Sequence, residues 1–184
     1  MTDVSATRSA RAAIVALVVH ALVACGERRE PAAEADAHLL DFDSATVRLV
    51  TARDTIPLAL ELATSVDQQR LGLMERHHLP ERAGMLFVYD STQPPDAGFW
   101  MYRTRLPLDI AFLDSAGVVR SIRSMVPCPT TMPEGCPSYE PGTPYRYALE
   151  VNAGALARWG AGLGARLLLA DVGNGSGAGR APPP

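Results

Sequence analysis

Apolar and polar positions alternate differently in different parts of this 184-residue chain. From Ala12 to Ala24 every position except His20 is apolar, behind a stretch carrying Arg8 and Arg11. Beyond about residue 40 the apolar positions fall into short β-branched or aromatic runs bounded by Gly, Pro, Asp and Ser, a pattern that predicts strands. Eight such runs stand out, at 45–51, 55–63, 84–90, 97–102, 107–113, 117–125, 145–151 and 165–171. Asp114-Ser115-Ala116-Gly117 lies between two of them and predicts a hairpin turn. Two helices interrupt the series. Ser65-Val66-Asp67-Gln68 matches a capping box and opens a helix of about ten residues. Asn152 is placed to cap a second short helix over 153–159, which Gly160 ends. The sum is a mainly β domain, a compact jelly-roll-like sandwich or barrel with one or two short helices.

Two charges break the pattern. Val66, Arg70, Leu73 and Met74 share one face at helical spacing, which places Arg70 in an apolar stripe. In the run Pro107-Leu108-Asp109-Ile110-Ala111-Phe112-Leu113, Asp109 shares a face with Ala111 and Leu113. A lone buried charge costs several kcal/mol, so each needs a partner or a wet cleft. An Arg70–Asp109 pair answers both needs; Arg103, Arg105 and Glu150 are alternative partners by chemistry.

Charge and composition then narrow the picture. With 47% hydrophobic residues and a net charge of −3, the chain is not disordered throughout, and without a basic stripe it is not expected to bind nucleic acid. All 17 basic residues are arginine, so Schiff-base and P-loop lysine chemistry are excluded. The apolar run at 12–24 is too short to span a membrane and, behind two arginines, reads as a signal peptide over residues 1–24. Leu22-Val23-Ala24-Cys25 resembles a bacterial lipobox, which makes Cys25 the lipidation site and the new N-terminus. Gly26 stands where an inner-membrane retention aspartate would be, so the expected location is the outer membrane, facing the periplasm. Residues 25–40 read as the lipidated cysteine and a flexible tether, 41–172 as one domain, and the Gly/Pro-rich residues 173–184 as a disordered tail.

Within the domain a string of short motifs occurs in order: Arg70-x-Gly72-Leu73-Met74, Gly84-Met85-Leu86-Phe87, Phe99-Trp100-Met101, Pro107-Leu108-Asp109-Ile110, Pro127-Cys128, Cys136-Pro137-x-Tyr139 and Leu149-Glu150-x-Asn152-Ala153-Gly154. This string resembles the bacterial and archaeal family known as domain of unknown function 192, from about Thr46 to Val172. The resemblance implies a compact, mostly β fold with a short helix carrying the Arg-x-Gly-Leu-Met segment. It supplies no reaction, ligand or catalytic residue. The family tends to have Lys-Asn after Trp-Met, where this chain has Tyr102-Arg103, and often Gly-Asp near the last strand, where it has Gly164-Ala165.

The candidate chemistry is sparse. Cys128 and Cys136, in a Pro/Gly-rich loop of a protein addressed to an oxidising compartment, read as a disulfide. His38, His77 and His78 lack ligand spacing to the cysteines, and Met74, Met85, Met101, Met125 and Met132 read as packing rather than a copper(I) site; no metal or cofactor is expected. Trp100 and Tyr102 share a face of the run 97–102 and, with Arg103, form a possible platform for a sugar or peptide; Trp100 is expected to pack into the core and Tyr102 to be exposed. Arg70, Asp109 and Glu150 are the remaining constellation, either a structural ion pair or an acid, base and anion clamp in one cleft.

These features point to an envelope lipoprotein, anchored to the membrane by lipid, whose non-catalytic β domain binds a periplasmic ligand or protein. The alternatives are a hydrolase of cell-wall or glycan material using Asp109 and Glu150 with Arg70, and a structural or assembly lipoprotein. A concave pocket holding both carboxylates favours the hydrolase; a large apolar surface patch without a pocket favours the assembly role.

Overall fold

The computed structural model describes residues 40–130 and 132–172. The expected leader, the tether up to residue 39 and the tail from residue 173 lie outside the described residues. Seven strands form one mixed sheet: β1 (Asp43–Val50), β2 (Thr55–Ala63), β3 (Ala83–Gln93), β4 (Leu108–Leu113), β5 (Val119–Met125), β6 (Tyr145–Asn152) and β7 (Arg166–Leu168). Their order across the sheet is β5-β4-β6-β3-β2-β1-β7. Neighbours are antiparallel except β2 and β3, which run parallel. A parallel pair needs a crossover, and the chain supplies it through the short helix α1 (Val66–Leu71). A second short helix, α2 (Ala155–Arg158), follows β6.

The sheet curls into a half-barrel rather than stacking as two layers. At one corner its two ends meet. Val118 bridges to Arg166, the Leu167 N–H donates to the Gly117 carbonyl at 2.8 Å, and the Val119 N–H donates to the Ala165 carbonyl at 2.8 Å. Gly117 lies in the left-handed region at φ +75°, and a Cβ there would stand 2.4 Å from the Leu167 carbonyl oxygen. Only glycine therefore makes this clasp without strain.

Period-two alternation sorts the core into two clusters, one on each face of the sheet. One face gathers Val47, Leu49, Leu58, Leu60, Leu86 and Leu149, together with Ala155 and Leu156 of α2. The opposite face gathers Met85, Phe87, Ile110, Phe112 and Ala148, covered by Leu73, Leu79 and Met101 from the connecting segments. Phe99, Phe112 and Tyr145 meet there edge-on or tilted, with Phe112 and Tyr145 centroids 5.0 Å apart. Cys128 and Cys136 close a disulfide in the loop between β5 and β6, their Cα atoms 5.6 Å apart.

Most of the expected elements are present, with four differences. The run 97–102 is not a strand; only Phe99 makes a bridge, to Tyr139. Its apolar alternation reflects Phe99 and Met101 packing onto the second core from an unpaired segment. The first helix has its capping box, with Gln68 N–H donating to Ser65 Oγ and Ser65 N–H to Gln68 Oε1, but it stops at Leu71. Gly72 ends it at φ +50°, where a Cβ would stand 3.3 Å from the Phe87 ring. The second helix starts after Gly154, not Asn152, whose side chain donates to the Leu79 and Pro80 carbonyls. Finally, β7 is only three residues long before a 3-10 turn at Leu169–Asp171.

Candidate functional site

The register across β3, β6 and β4 decides which predicted site residues can meet. Glu150 lies opposite Met85 on one side and Ile110 on the other, so its side chain shares their face. Asp109 lies opposite Val151 and Ser124, so its side chain shares the other face. The constellation of Asp109, Glu150 and Arg70 is therefore split by the sheet, and the two carboxylates cannot serve one substrate as acid and base.

Asp109 is buried, and its partners are local. Its Oδ1 accepts from Ser124 Oγ at 2.8 Å and its Oδ2 from the Gly154 N–H at 2.8 Å, tying β4 to β5 and to the start of α2. The expected Arg70–Asp109 pair is not made. Because α1 ends at Leu71 and Val66 is exposed, the stripe that contained Arg70 is no buried face; Arg70 sits in solvent without an ion pair among the described residues. The arginine that does bind the crossover to the sheet is Arg76. Its Nη1 and Nη2 reach Glu61 Oε1 and Oε2 at 2.6 and 2.5 Å. The signal was present in β2, where Ile56, Leu58, Leu60 and Leu62 fill one face and leave Glu61 on the other.

Glu150 lines a narrow recess with Gln69, Arg70 and the turn Leu71–Met74 on one side and Phe87, Phe99, Trp100 and Thr104 on the other. Its volume is about 40 Å³, room for a water or one small functional group. Glu150 is 4% exposed, and its carboxyl makes no hydrogen bond or ion pair among the described residues. No buried side-chain oxygen or nitrogen among them lacks a partner, so the carboxyl oxygens reach the recess instead of ending in packed protein. Burial pushes this carboxyl up to about 8, so it is mostly protonated at neutral pH and can donate a hydrogen bond into the recess. Arg70, on the rim, does not approach closely enough to hold it ionised. Burial first, then Tyr145 and Glu150 nearby, also raises the Tyr89 phenol, keeping this face neutral.

At the mouth stands Trp100, 44% exposed, its ring centroid 6.0 Å from that of half-buried Tyr102. The expected roles are thus reversed: Trp100 is the open ring. Arg103 does not join the platform as a free cation. Its Nε reaches Glu75 Oε1 at 2.7 Å, and the Arg105 guanidinium holds the other oxygen, Oε2. These two arginines hold the Glu75 carboxyl below the usual carboxylate range. Glu75 and Arg103 both have left-handed backbones, at φ +60° and +53°, and the Glu75 N–H donates to the Arg103 carbonyl at 2.8 Å.

On the far side of Leu71, Gly72 and Met74, which line both spaces, lies a wider hollow of about 410 Å³ bounded also by Phe42, Arg76, His77 and His78. Among the methionines, Met85, Met101 and Met125 are buried in the second core while Met132 is exposed. No group of three or more His, Cys, Asp or Glu residues fit to hold a metal ion occurs among the described residues.

The family described as uncharacterized ACR (COG1430), DUF192, matches residues 48–169. Two solved structures are similar to the chain. A proposed transcription regulator from Sinorhizobium meliloti 1021 is 35% identical, with a TM-score of 0.63 over 70% of this chain and 95% of that one. A protein of unknown function from Novosphingobium aromaticivorans DSM 12444 is 31% identical, with a TM-score of 0.59 over 68% of this chain and 84% of that one. No curated protein matches. With its fold, motif order and these likenesses in agreement, the chain belongs to the DUF192 family.

Proposed function

We propose that this protein is a lipid-anchored envelope protein whose β domain binds, without transforming, a ligand bearing a carboxylate or carbonyl group. The observation that carries this reading is Glu150: a residue only 4% exposed, whose carboxyl oxygens have no protein partner among the described residues and open to a recess with a cationic rim and an exposed indole. A protonated Glu150 and Arg70 are both donors, so the complementary group is an acceptor, and an anionic acceptor gains from the arginine. Trp100 offers the flat apolar surface that sugars and peptide side chains stack on. Catalysis by two carboxylates lacks its second member here, because Asp109 faces the other side of the sheet and is occupied by Ser124 and Gly154. The address belongs to the proposal: Cys25 carries the lipid, and the domain faces the periplasm from the outer membrane.

The chain has two tryptophans, so Trp159→Phe leaves Trp100 as the sole reporter. Titrating that variant with short peptides and acidic sugars that carry a free carboxylate should give a saturable change in its emission. Arg70→Ala should abolish the change, and binding should weaken as pH rises through about 8, where Glu150 ionises. Conversion of a bound compound into product would replace this reading with an enzymatic one, and no saturable response to any of them would end it. For the address, mass spectrometry of the membrane-extracted protein should find an acylated N-terminal Cys25, lost in Cys25→Ser.

A further inference from the structure

Away from the Glu150 recess, three arginines surround a second cavity. Arg53 comes from the turn between β1 and β2, Arg82 from the residue before β3, and Arg158 from the end of α2. With Trp159 and Gly160 they line a space of about 310 Å³ where the parallel strands β2 and β3 begin. The four salt bridges of the described residues use Arg76, Arg103, Arg105 and Arg120; none of the three arginines here has a carboxylate partner. Asp54 also lines the cavity, yet its Oδ1 accepts from the Thr55 N–H at 2.7 Å and it pairs with none of them. On a chain whose net charge is −3, three guanidiniums against one carboxylate form a local cationic concentration.

We propose that this cavity binds a phosphate group. Guanidinium forks match the tetrahedral oxygens of phosphate, and three arginines that line one cavity from different elements suit a polyanionic group better than a two-oxygen carboxylate. Arg158 Nη1 also donates to the Ala153 carbonyl at 3.4 Å. The partly buried Trp159 supplies an apolar wall for whatever the phosphate is attached to. A neighbouring hollow of about 590 Å³ shares Gly160 and carries Arg166 and Leu163, the latter 73% exposed. An exposed leucine beside a cationic cavity also suits the headgroup region of a phospholipid surface. The shared chemistry is the phosphate; its source is either a soluble phosphorylated compound or a lipid headgroup.

Trp100→Phe leaves Trp159 as the sole tryptophan, so this site is read independently of the Glu150 recess. Its emission is followed during titration with pyrophosphate, with phosphatidylglycerol vesicles, and with phosphatidylcholine vesicles and succinate as references. A saturable response to pyrophosphate assigns a soluble ligand, and one to phosphatidylglycerol vesicles assigns a lipid. In either case Arg53→Gln and Arg82→Gln should each weaken binding about tenfold, the loss of a charged hydrogen bond. Arg120→Gln, which removes an ion-paired arginine elsewhere, should leave it unchanged. No response to either phosphate probe up to concentrations on the order of 10 mM, succinate binding as tightly, or an equal loss in Arg120→Gln would overturn the proposal.

Discussion

Three residues show how burial alone misleads until the partners are known. Glu150, Asp109 and Arg70 looked like one chemical unit, yet they meet three different environments. Glu150 has only its recess, and its raised pKa makes stability depend on pH in a defined direction. Unfolded, the carboxyl ionises near its ordinary 4.5; folded, near 8. Between those values the folded chain holds a proton that unfolding releases, so stability falls as pH rises from about 4.5 to about 8. Glu150→Gln should remove that slope, and denaturant unfolding at a series of pH values checks it; an unchanged slope would place the titrating group elsewhere. Asp109 is a structural acceptor. Asp109→Ala leaves the Gly154 N–H and Ser124 without their acceptor and should cost about 2–3 kcal/mol. Arg70→Ala, in solvent, should change stability by less than about 0.5 kcal/mol. Equal losses in the same unfolding experiment would revive the ion pair the structure lacks. Arg103 adds a backbone lesson. The family's usual asparagine at this place suits a left-handed φ of +53° better than arginine does, and here the Glu75 pair accompanies the strain.

Strands and turns were the legible level. The apolar runs located all seven strands, because β-branched and aromatic alternation reports a half-buried pleated surface directly. The Asp114 turn was legible for the same local reason: its Oδ1 accepts from the Ala116 and Val118 N–H groups, and Gly117 supplies the positive φ. What the chain could not show was the relation between strands. Alternation says that Asp109 and Ala111 share a face, but whether Glu150 joins them depends on a cross-strand register set by the whole sheet. A shift of one residue would have put both carboxylates on one side. The helix was overextended because apolar spacing continued through Leu73 and Met74, although those residues serve a turn that Gly72 bends against Phe87. Register also explains Gly84, which pairs with Val151 on β6 and whose Cβ would lie 2.3 Å from the Glu150 carbonyl oxygen. Gly84→Ala therefore forces backbone apart in the sheet centre and should cost roughly 3 kcal/mol or more, read as a lowered denaturant midpoint. A midpoint within error of the parent would mean the sheet yields there freely.

At the scale of the whole molecule, one sheet with a core on each face leaves several openings among the described residues, two of which carry a tryptophan each. The Glu150 recess lies under the α1 crossover, and the arginine cavity lies where β2 and β3 begin. Of the recess, Glu150, Arg70 and Trp100 were legible as candidates, but not that they share one opening from which Asp109 is excluded. The arginine cavity was not legible, because Arg53, Arg82 and Arg158 are far apart in sequence. The clasp at Gly117 has a consequence of another kind. An open sheet ends in strands with unpaired N–H and C=O groups, which template pairing with another chain. Here the two end strands are tied to each other over Gly117–Val119 and Ala165–Leu167, and on β5 the Arg123 guanidinium covers the Ile122 carbonyl at 2.9 Å. The clasp thus guards solubility as well as shape. Gly117→Val should open it and produce concentration-dependent self-association visible by light scattering, whereas a variant that scatters like the parent at every concentration would show that the short β7 and the covered β5 edge suffice alone.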